Sequence, residues 1–482
     1  MDLSTGLGGC GLNRAGDRKR VVILGSTGSI GRQALDVVRS HPDRFVVVGL
    51  GAGRNRDLLR AQIATFGCPS YSAVDGPLPD TSATFLPLVD LATVDADLVL
   101  VATVGAAGIA PTLAALRAGR DVALANKEVL VVAGRPVVEA ARASGAAILP
   151  VDSEHSAIWQ CIRGEAKLGA WSPGSPIERL LLTASGGAFR DLPIDDLDTV
   201  TPEQALHHPN WVMGAKVTID SATLLNKGFE VIEAHWLFGL PYDRIDVVLH
   251  RESLVHSLVA FADGTMKAQL GPPDMRLPIQ YALGYPNRLT SPVERLDLSA
   301  VGQLTFARVP ADRYPCFRLA IAAASAGESA CAVLSGADEA AVSLFLERRI
   351  RFTDIPALID HFIKKHAIKR KDILIKNISD EAANILTHYS YPGNIRELEN
   401  IVERAISFSN SPTILPVDLP SYLSRTSSRK VTAKPKLKAA LADLERELIW
   451  SALQRSGGNV SRAAAELGIY RQQLQRKLKS IK

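Results

Sequence analysis

"RVVILGSTGSIG", residues 20–31, decides how the first part of the chain folds. A short β-rich apolar run is followed at once by glycines at 25, 28 and 31, and then by "RQALDVVRSHP" (32–42), which has the look of a helix. A strand feeding a glycine turn and then a helix is a βα unit. Its helix N-terminus can hold a pyrophosphate, and the glycines let the backbone approach it closely. The spacing is GxxGxxG rather than GxGxxG, and a glycine triplet alone also fits a tight turn. The next elements argue for the nucleotide. "FVVVGLGAGRN" (45–55) is a second strand that ends without the acidic residue that grips a free ribose hydroxyl. It carries Arg54 instead, which suits the extra 2′-phosphate of NADP. "ADLVLVATVG" (96–105) and "DVALANKEVL" (121–130) continue the alternation of strands and helices, so the expected cofactor is NADPH.

The chain has 482 residues, enough for about three domains of ~150 residues. Its 47% apolar and 22% charged residues are ordinary for a globular protein. No continuous apolar run approaches the ~20 residues that cross a bilayer, so no membrane association is expected. The opening 1–19 lacks the apolar core of a secretory signal and reads as a disordered leader. Five scattered cysteines without a CxxC pair fit a reducing cytoplasm. The net charge of +5 hides an asymmetry: residues 429–482 hold 13 Lys/Arg and 4 Asp/Glu, a balance of +9, which leaves −4 for the rest. A basic tail of this kind suits either an anion-binding module or a solvated charged helix.

Downstream of the nucleotide segment, "ILPVDSEHSAIWQ" (148–160) places Asp152 and Glu154 two residues apart, read as one side of an extended segment where a strand runs out. Adjacent carboxylates repel unless a cation sits between them, and hard oxygen ligands favour Mg²⁺ or Mn²⁺. A bare DxE is as readily a solvated loop. "DSATLLNKGFEVIEAHW" (220–236) offers a third carboxylate in Glu230, with Ser221, Asn226 and Lys227 suited to a phosphate. "TASGGAF" (183–189) adds Ser185, and "HHPNWVMG" (207–214) is a polar, aromatic loop of the kind that closes over a substrate.

Taken together, "GSTGSIG", "AGRN", "LANKE", "PVDSEHSA", "TASGGAFR", "HPNWVMGAKVTIDSATLLNKGFE" and "DMRLPIQYAL", in order over residues 20 to about 355, resemble the 1-deoxy-D-xylulose 5-phosphate reductoisomerases. The resemblance implies an enzyme that uses NADPH and a divalent metal to convert that sugar phosphate to 2-C-methyl-D-erythritol 4-phosphate in isoprenoid biosynthesis. The metal would stabilise enolate-like charge as the carbon skeleton rearranges, and the resulting aldehyde would take a hydride. Carried onto this chain, Asp152, Glu154 and Glu230 would hold the metal. Ser153, Glu154, Ser185, His208, Trp211, Ser221, Asn226, Lys227 and Glu230 would line the substrate, with Trp211 and Met213 in the flap. Thr27, Gly28, Ser29, Ile30, Gly53, Arg54, Asn55, Asn126, Glu128 and Gly214 would contact NADPH. Lys127, Glu154 and His208 would carry the catalysis, Lys127 between cofactor and substrate. The family forms homodimers. One departure is "SGADEAAV" (335–342), where the family reads closer to N-A-A-N-E.

After Pro356 the pattern changes. "LIDHFIKKHAIKRKDILIKNISDEAANILTHYSYPGNIRELENIVERAIS" (358–407) resembles the helical lid of bacterial enhancer-binding AAA+ activators, with Arg396 at the nucleotide-sensing position of "YPGNIRELEN". The chain has no GxxxxGK[ST], so no ATPase activity is expected and the lid reads as a spacer. Residues 441–481 resemble a Fis-type helix-turn-helix. There Tyr470, Arg471, Gln472 and Gln473 would meet base edges and Arg476, Lys477 and Lys479 phosphates.

The expected fold class is α/β: a Rossmann-type NADPH domain (20–150), an α+β catalytic domain with its flap (151–290) and a truncated helical domain (291–356). An all-α tail follows, made of lid-like helices (357–406), a linker (407–438) and a helix-turn-helix (439–482). The expected partners are a phosphorylated sugar and, through the tail, DNA, with the chain in the cytoplasm as a homodimer. The competing reading is a DNA-binding regulator whose body only senses a metabolite, which would need neither three metal carboxylates nor a flap. A semialdehyde-dehydrogenase reading fails for want of a catalytic cysteine in a suitable motif.

Overall fold

The structure is a computed structural model, and it describes residues 18–165, 175–211, 213–310, 312–367, 377–387 and 413–420, with 389, 398, 401, 402, 405 and 423. It divides into two compact units, residues 1–370 and 371–482.

In the first unit seven strands form one parallel sheet: β1 (Lys19–Leu24), β2 (Phe45–Ala52), β3 (Ser70–Ala73), β4 (Thr84–Phe85), β5 (Leu98–Val101), β6 (Asp121–Leu124) and β7 (Ile148–Pro150). Their order is β4-β3-β2-β1-β5-β6-β7, so the direction of winding reverses between β1 and β5. Such a switch point opens a crevice at the strands' carboxyl ends. Val21–Leu24 and Leu98–Val101 are fully buried, as a parallel sheet covered on both faces requires. The first helix, Ser29–Ser40, packs Ala34, Leu35, Val37 and Val38 on the sheet. Gly25 has φ +91, and a Cβ on it would lie 2.3 Å from Ala102 O. A Cβ on Gly31 would lie 2.2 Å from Gly25 O, so the turn closes only with glycine at both positions.

A second sheet follows, ordered β11-β10-β8-β9-β12, from β8 (Ile177–Ala184), β9 (Ile245–Leu249), β10 (Val255–Phe261), β11 (Met266–Leu270) and β12 (Ala307–Arg308). β8 runs parallel to β9, and the other pairings are antiparallel. Two helices, Ala215–Ala222 and Leu225–Phe238, back this region, and Leu224 between them has a left-handed φ of 60.

The stretch holding Asp152 and Glu154 is not extended as its sequence suggested. β7 ends at Pro150, Asp152 is the N-cap, and Glu154 lies in the first turn of the helix Ser153–Ile162. Acidic residues at the start and in the first turn favour a helix through its positive dipole end, although the Asp152 carboxylate lies on Lys127 and makes no side-chain cap bond. The expectation about apolar length also needs correction. The helix Glu328–Leu346 has 19 residues and a mean hydropathy of 1.4, long and apolar enough to span a bilayer by length and composition. Asp338 and Glu339 interrupt the run, which is why no continuous apolar stretch shows in the sequence. Here the helix is a core element: Leu334, Ala341, Val342 and Phe345 are buried with Phe229 and Ile232.

The expected boundary at 356/357 falls inside the helix Ile355–Ala367. Ile355 and Ile359 are fully buried in the same core as Phe345 and Phe352, and the first unit extends to Arg370. In the second unit β13 (Asn377–Ile378) pairs in parallel with β14 (Thr413–Ile414), and the helix Asp380–Thr387 contributes Ala382 to a small core with Ile401, Ala405 and Leu423. Residues 1–17 of the expected leader, Arg396 and the helix-turn-helix residues lie outside the described residues, whereas Lys19, expected in the leader, already begins β1.

If the Ile355–Ala367 helix belongs to the first unit, Ile359→Ala in the full chain should lower its stability by about 2–4 kcal/mol, the usual cost of a large-to-small change in a core. Urea unfolding followed by tryptophan fluorescence measures this, and a loss under about 1 kcal/mol would contradict the placement.

Candidate active site

One cleft gathers residues from both sheets. Its walls include Ser29 and Ile30 after the glycine turn, Lys127 after β6, and Asp152, Ser153 and Glu154 at the helix start after β7. Ser185 after β8, His208, Trp211, Met213 and Gly214 of the loop, and Ser221, Asn226, Lys227 and Glu230 of the two helices complete it. Every predicted metal and substrate residue therefore meets in one place.

Asp152, Glu154 and Glu230 each offer an oxygen within 4.8 Å of the others. Two lysines lie among them. Lys127 Nζ is 2.6 Å from Asp152 Oδ2 and 3.1 Å from Glu230 Oε1, and it donates to Asn226 Oδ1 at 2.7 Å. Lys227 Nζ donates to Glu154 Oε1 at 2.8 Å and also reaches Glu230 Oε2. Burial pushes the Glu230 carboxyl up, and Glu154 adds to this, while the two lysines pull it down. Burial would raise Asp152 as well, but Lys127 and His155 hold it well below the usual carboxylate range. Burial likewise disfavours the Lys127 ammonium, yet Asp152, Glu230 and Glu233 hold it far above an ordinary lysine. Three carboxylates facing two ammonium groups leave one negative charge uncompensated. A divalent cation meets hard oxygen donors here, so the residues fit Mg²⁺ or Mn²⁺.

Beside this pocket His208 Nδ1 accepts from the backbone N–H groups of Asn210, at 3.1 Å, and Trp211, at 3.0 Å. With Nδ1 occupied as an acceptor, the neutral ring carries its proton on Nε2 and donates to Ser185 Oγ at 2.9 Å. Asn210 Nδ2 donates to Arg251 O at 2.6 Å and Ser253 Oγ at 2.7 Å, which pins the loop to the turn before β10. Ser153 Oγ donates to Glu154 Oε2 at 2.5 Å, and Ser221 Oγ to Val217 O at 2.8 Å.

All the predicted cofactor residues but Gly214 lie at the carboxyl ends of β1, β2 and β6, and Gly214 is the N-cap of the Ala215–Ala222 helix. Thr27 and Gly28 form the glycine turn with Ser29 and Ile30, while Gly53, Arg54 and Asn55 are exposed after β2. Asn55 Oδ1 caps the next helix through Leu58 N at 3.2 Å. Asn126 is buried and donates to Gly105 O at 2.9 Å, bracing the ends of β5 and β6. Glu128 lies 3.7 Å from Lys216 Nζ.

Sequence reasoning missed three residues here. His256 lines the cleft from β10, 6.2 Å from the Trp211 ring, and a polar residue at an inward position of an apolar strand was its only signal. His155 and Glu233 are fully buried behind the carboxylates. His155 Nε2 donates to Glu230 O at 2.8 Å, and Nδ1 is 3.4 Å from Glu233 Oε2.

A glycine-turn dinucleotide fold joined to an acidic, lysine-bridged pocket and a histidine-bearing loop defines a nucleotide-dependent enzyme with a cation-assisted active site. Comparisons with known proteins are specific. The 1-deoxy-D-xylulose 5-phosphate reductoisomerase family model matches residues 21–78 and 87–134, the model of its C-terminal domain 148–238, and a further DXP reductoisomerase C-terminal model 270–384. The enzyme of that name from Synechococcus sp. is 50% identical over 364 residues, covering 72% of this chain and 91% of its own. The one from Exiguobacterium sibiricum is 50% identical over 361 residues, covering 72% and 92%. The chain belongs to the 1-deoxy-D-xylulose 5-phosphate reductoisomerase family.

Among solved structures, the Zymomonas mobilis reductoisomerase in complex with NADPH superposes with a TM-score of 0.66 at 37% identity, covering 72% of this chain and 92% of its own. A DOX-P reductoisomerase in complex with NADPH, fosmidomycin and magnesium gives 0.69 at 38%, covering 80% and 95%. The tail matches the AAA+ ATPase lid domain over 349–436 and the Fis family of bacterial regulatory proteins over 440–480. The lid match overlaps the reductoisomerase match across 349–384, the region that holds the Ile355–Ala367 helix.

Burial, with Arg190 nearby, lowers His208 from its usual 6.5 to about 4. The unfolded chain thus takes up this proton near pH 6.5 and the native protein only near 4, so His208 costs stability as pH falls through that window. An NMR titration should find His208 in the neutral Nε2–H form down to about pH 5, and a midpoint near 6.5 would contradict the geometry.

Proposed function

We propose that this chain converts 1-deoxy-D-xylulose 5-phosphate to 2-C-methyl-D-erythritol 4-phosphate, using NADPH and a divalent cation. The observation that carries the reading is the meeting of Asp152, Glu154 and Glu230 in the cleft whose opposite wall is the turn bearing Ser29 and Ile30. Relatives 50% identical across this region bear that enzyme's name, and a neighbour at 38% identity is a complex with NADPH, fosmidomycin and magnesium.

Asp152, Glu154 and Glu230 hold the cation. When bound, it would polarise adjacent oxygens of the hydroxyketone, and NADPH would supply the hydride. The chain's own groups do the rest. Lys227, Ser185, Ser221 and Asn226 supply cationic and neutral donors suited to the substrate phosphate, fixing the pose away from the reacting carbons. Neutral His208 donates from Nε2 beside Ser185 without adding charge. Lys127, an ammonium between the carboxylates and the turn that binds NADPH, offers a proton donor to oxygen as charge develops there. Trp211 and Met213 close the cleft to water. Thr27 to Ile30, Gly53 to Asn55, Asn126, Glu128 and Gly214 hold the nucleotide, with Arg54 on its 2′-phosphate. The tail, basic and Fis-like over 440–480, is a DNA-binding module through Tyr470 to Gln473, Arg476 and Lys477. The homodimer and the cytoplasmic location belong to the same reading, the latter supported by four buried, unpaired cysteines.

The test is NADPH oxidation by the purified full chain with 1-deoxy-D-xylulose 5-phosphate. Turnover should require both the sugar phosphate and Mg²⁺ or Mn²⁺, and Arg54→Asp should narrow or reverse the preference for NADPH over NADH. Absence of substrate-dependent oxidation with either metal would sink the proposed activity, and equal use of both cofactors by the wild type would remove Arg54 from its role.

A further inference from the structure

A second buried charge cluster lies outside the catalytic pocket. Lys216, in the first turn of the Ala215–Ala222 helix, is 2.7 Å from Asp220 Oδ2, 2.5 Å from Asp338 Oδ2 and 3.7 Å from Glu128 Oε1. Its ammonium also lies 5.2 Å from the Phe229 ring. Asp220 is on the same helix, Asp338 on Glu328–Leu346 and Glu128 at the start of Glu128–Ser144, so one lysine ties three elements. Asp220 and Asp338 are 2% and 1% exposed, so two carboxylates share one close ammonium away from water.

Three oxygens, Oδ1 of Asp220 and both of Asp338, have no well-aligned hydrogen bond although Lys216 lies close. Orphaned acceptors in such a place are costly unless the pair carries a proton, and both carboxyls converge on the same Lys216 ammonium, which brings them near enough for one proton to serve both. The helix these groups anchor begins at Gly214, directly after the 207–214 loop.

We infer that Lys216, Asp220 and Asp338 form a positioning device that fixes the root of the loop against the helix bearing Glu128, and that a proton shared by the two aspartates holds it together. The coupling to cofactor rests on the reading of Gly214 and Glu128 as NADPH contacts. Burial, then Asp338, raises Asp220 to about 8, with Lys216 opposing and Glu128 adding to the shift. Cys316, buried against the pair, is pushed up by burial and by both aspartates, so it stays a thiol in this range. Above about pH 8 the proton leaves, and a second buried negative charge pushes the Glu328–Leu346 helix from the Ala215–Ala222 helix. The sign follows from linkage. The unfolded aspartate loses its proton near 3.8 and the native one near 8, so stability is lost as pH rises through that interval.

The experiment compares wild type, Asp338→Asn and Asp220→Asn as full chains, by thermal melting from pH 5 to 9 and by KM for NADPH from pH 7 to 9. Either substitution leaves one carboxylate on Lys216 and removes the need for a shared proton. The melting temperature of wild type should fall behind both variants by roughly a few degrees as pH rises. Its KM for NADPH should rise toward tenfold at about one unit above pH 8, as the competent fraction shrinks, while the variants stay flat and kcat moves alike in all three. Melting profiles that run parallel at every pH would overturn the shared proton, whatever the cofactor. A widening melting difference with identical KM profiles would overturn the link to the cofactor site.

Discussion

The active site depends on a charge balance that the protein alone does not close. Asp152, Glu154 and Glu230 are drawn together in a partly buried pocket, with Lys127 and Lys227 threaded between them. Burial makes each ionised carboxylate costly, and two ammonium groups do not neutralise three. The arrangement stays folded because ten-residue and longer helices, backed by the core around Phe229 and Ile232, hold the groups whatever their mutual repulsion. It is then suited to take a cation, which would relieve part of that repulsion.

The two sheets serve that pocket from opposite sides. The winding reversal at β1 and β5 leaves a crevice lined by the glycine turn, and β7 delivers Asp152 and Glu154 to the same end. β8 delivers Ser185, and the turn at Leu224 orients Asn226, Lys227 and Glu230 into the cleft. The loop with His208 and Trp211 hangs between, pinned by Asn210 to Arg251 and Ser253. The carboxylates and lysines of the pocket thus come from strand and helix ends, and His208 and Trp211 from a loop.

Most of this was legible where the chemistry is local. The glycine turn, the absent acid after β2 and the DxE pair each carry their reason within a few residues, and the family resemblance joined them. Long-range facts were less legible. The extended reading of 148–160 failed because Asp152 and Glu154 also make a good helix start, and period-2 spacing could not separate the two. His155 and Glu233 were invisible because their role is to brace Glu230 from behind, a contact 75 residues apart for His155. The change of pattern after Pro356 suggests a boundary there, yet Ile355 and Ile359 are buried in the core that precedes it. A helix with apolar residues at the right spacing suits the core before it or the one after it, so the sequence alone carries no mark of which core it joins.

The claim that three carboxylates converge to hold a divalent cation is tested most directly by Mn²⁺ binding to the full chain, followed by electron paramagnetic resonance. Wild type should bind one Mn²⁺ in this site and Glu230→Gln should weaken it by more than about 100-fold, beyond the usual effect of residues that only support a ligand. NADPH binding, followed by fluorescence, should be unchanged in the variant, because the Glu230 carboxylate lies on Lys127, Lys227 and Asn226, none of them among the residues read as holding the nucleotide. Mn²⁺ bound by Glu230→Gln as tightly as by wild type would contradict the account.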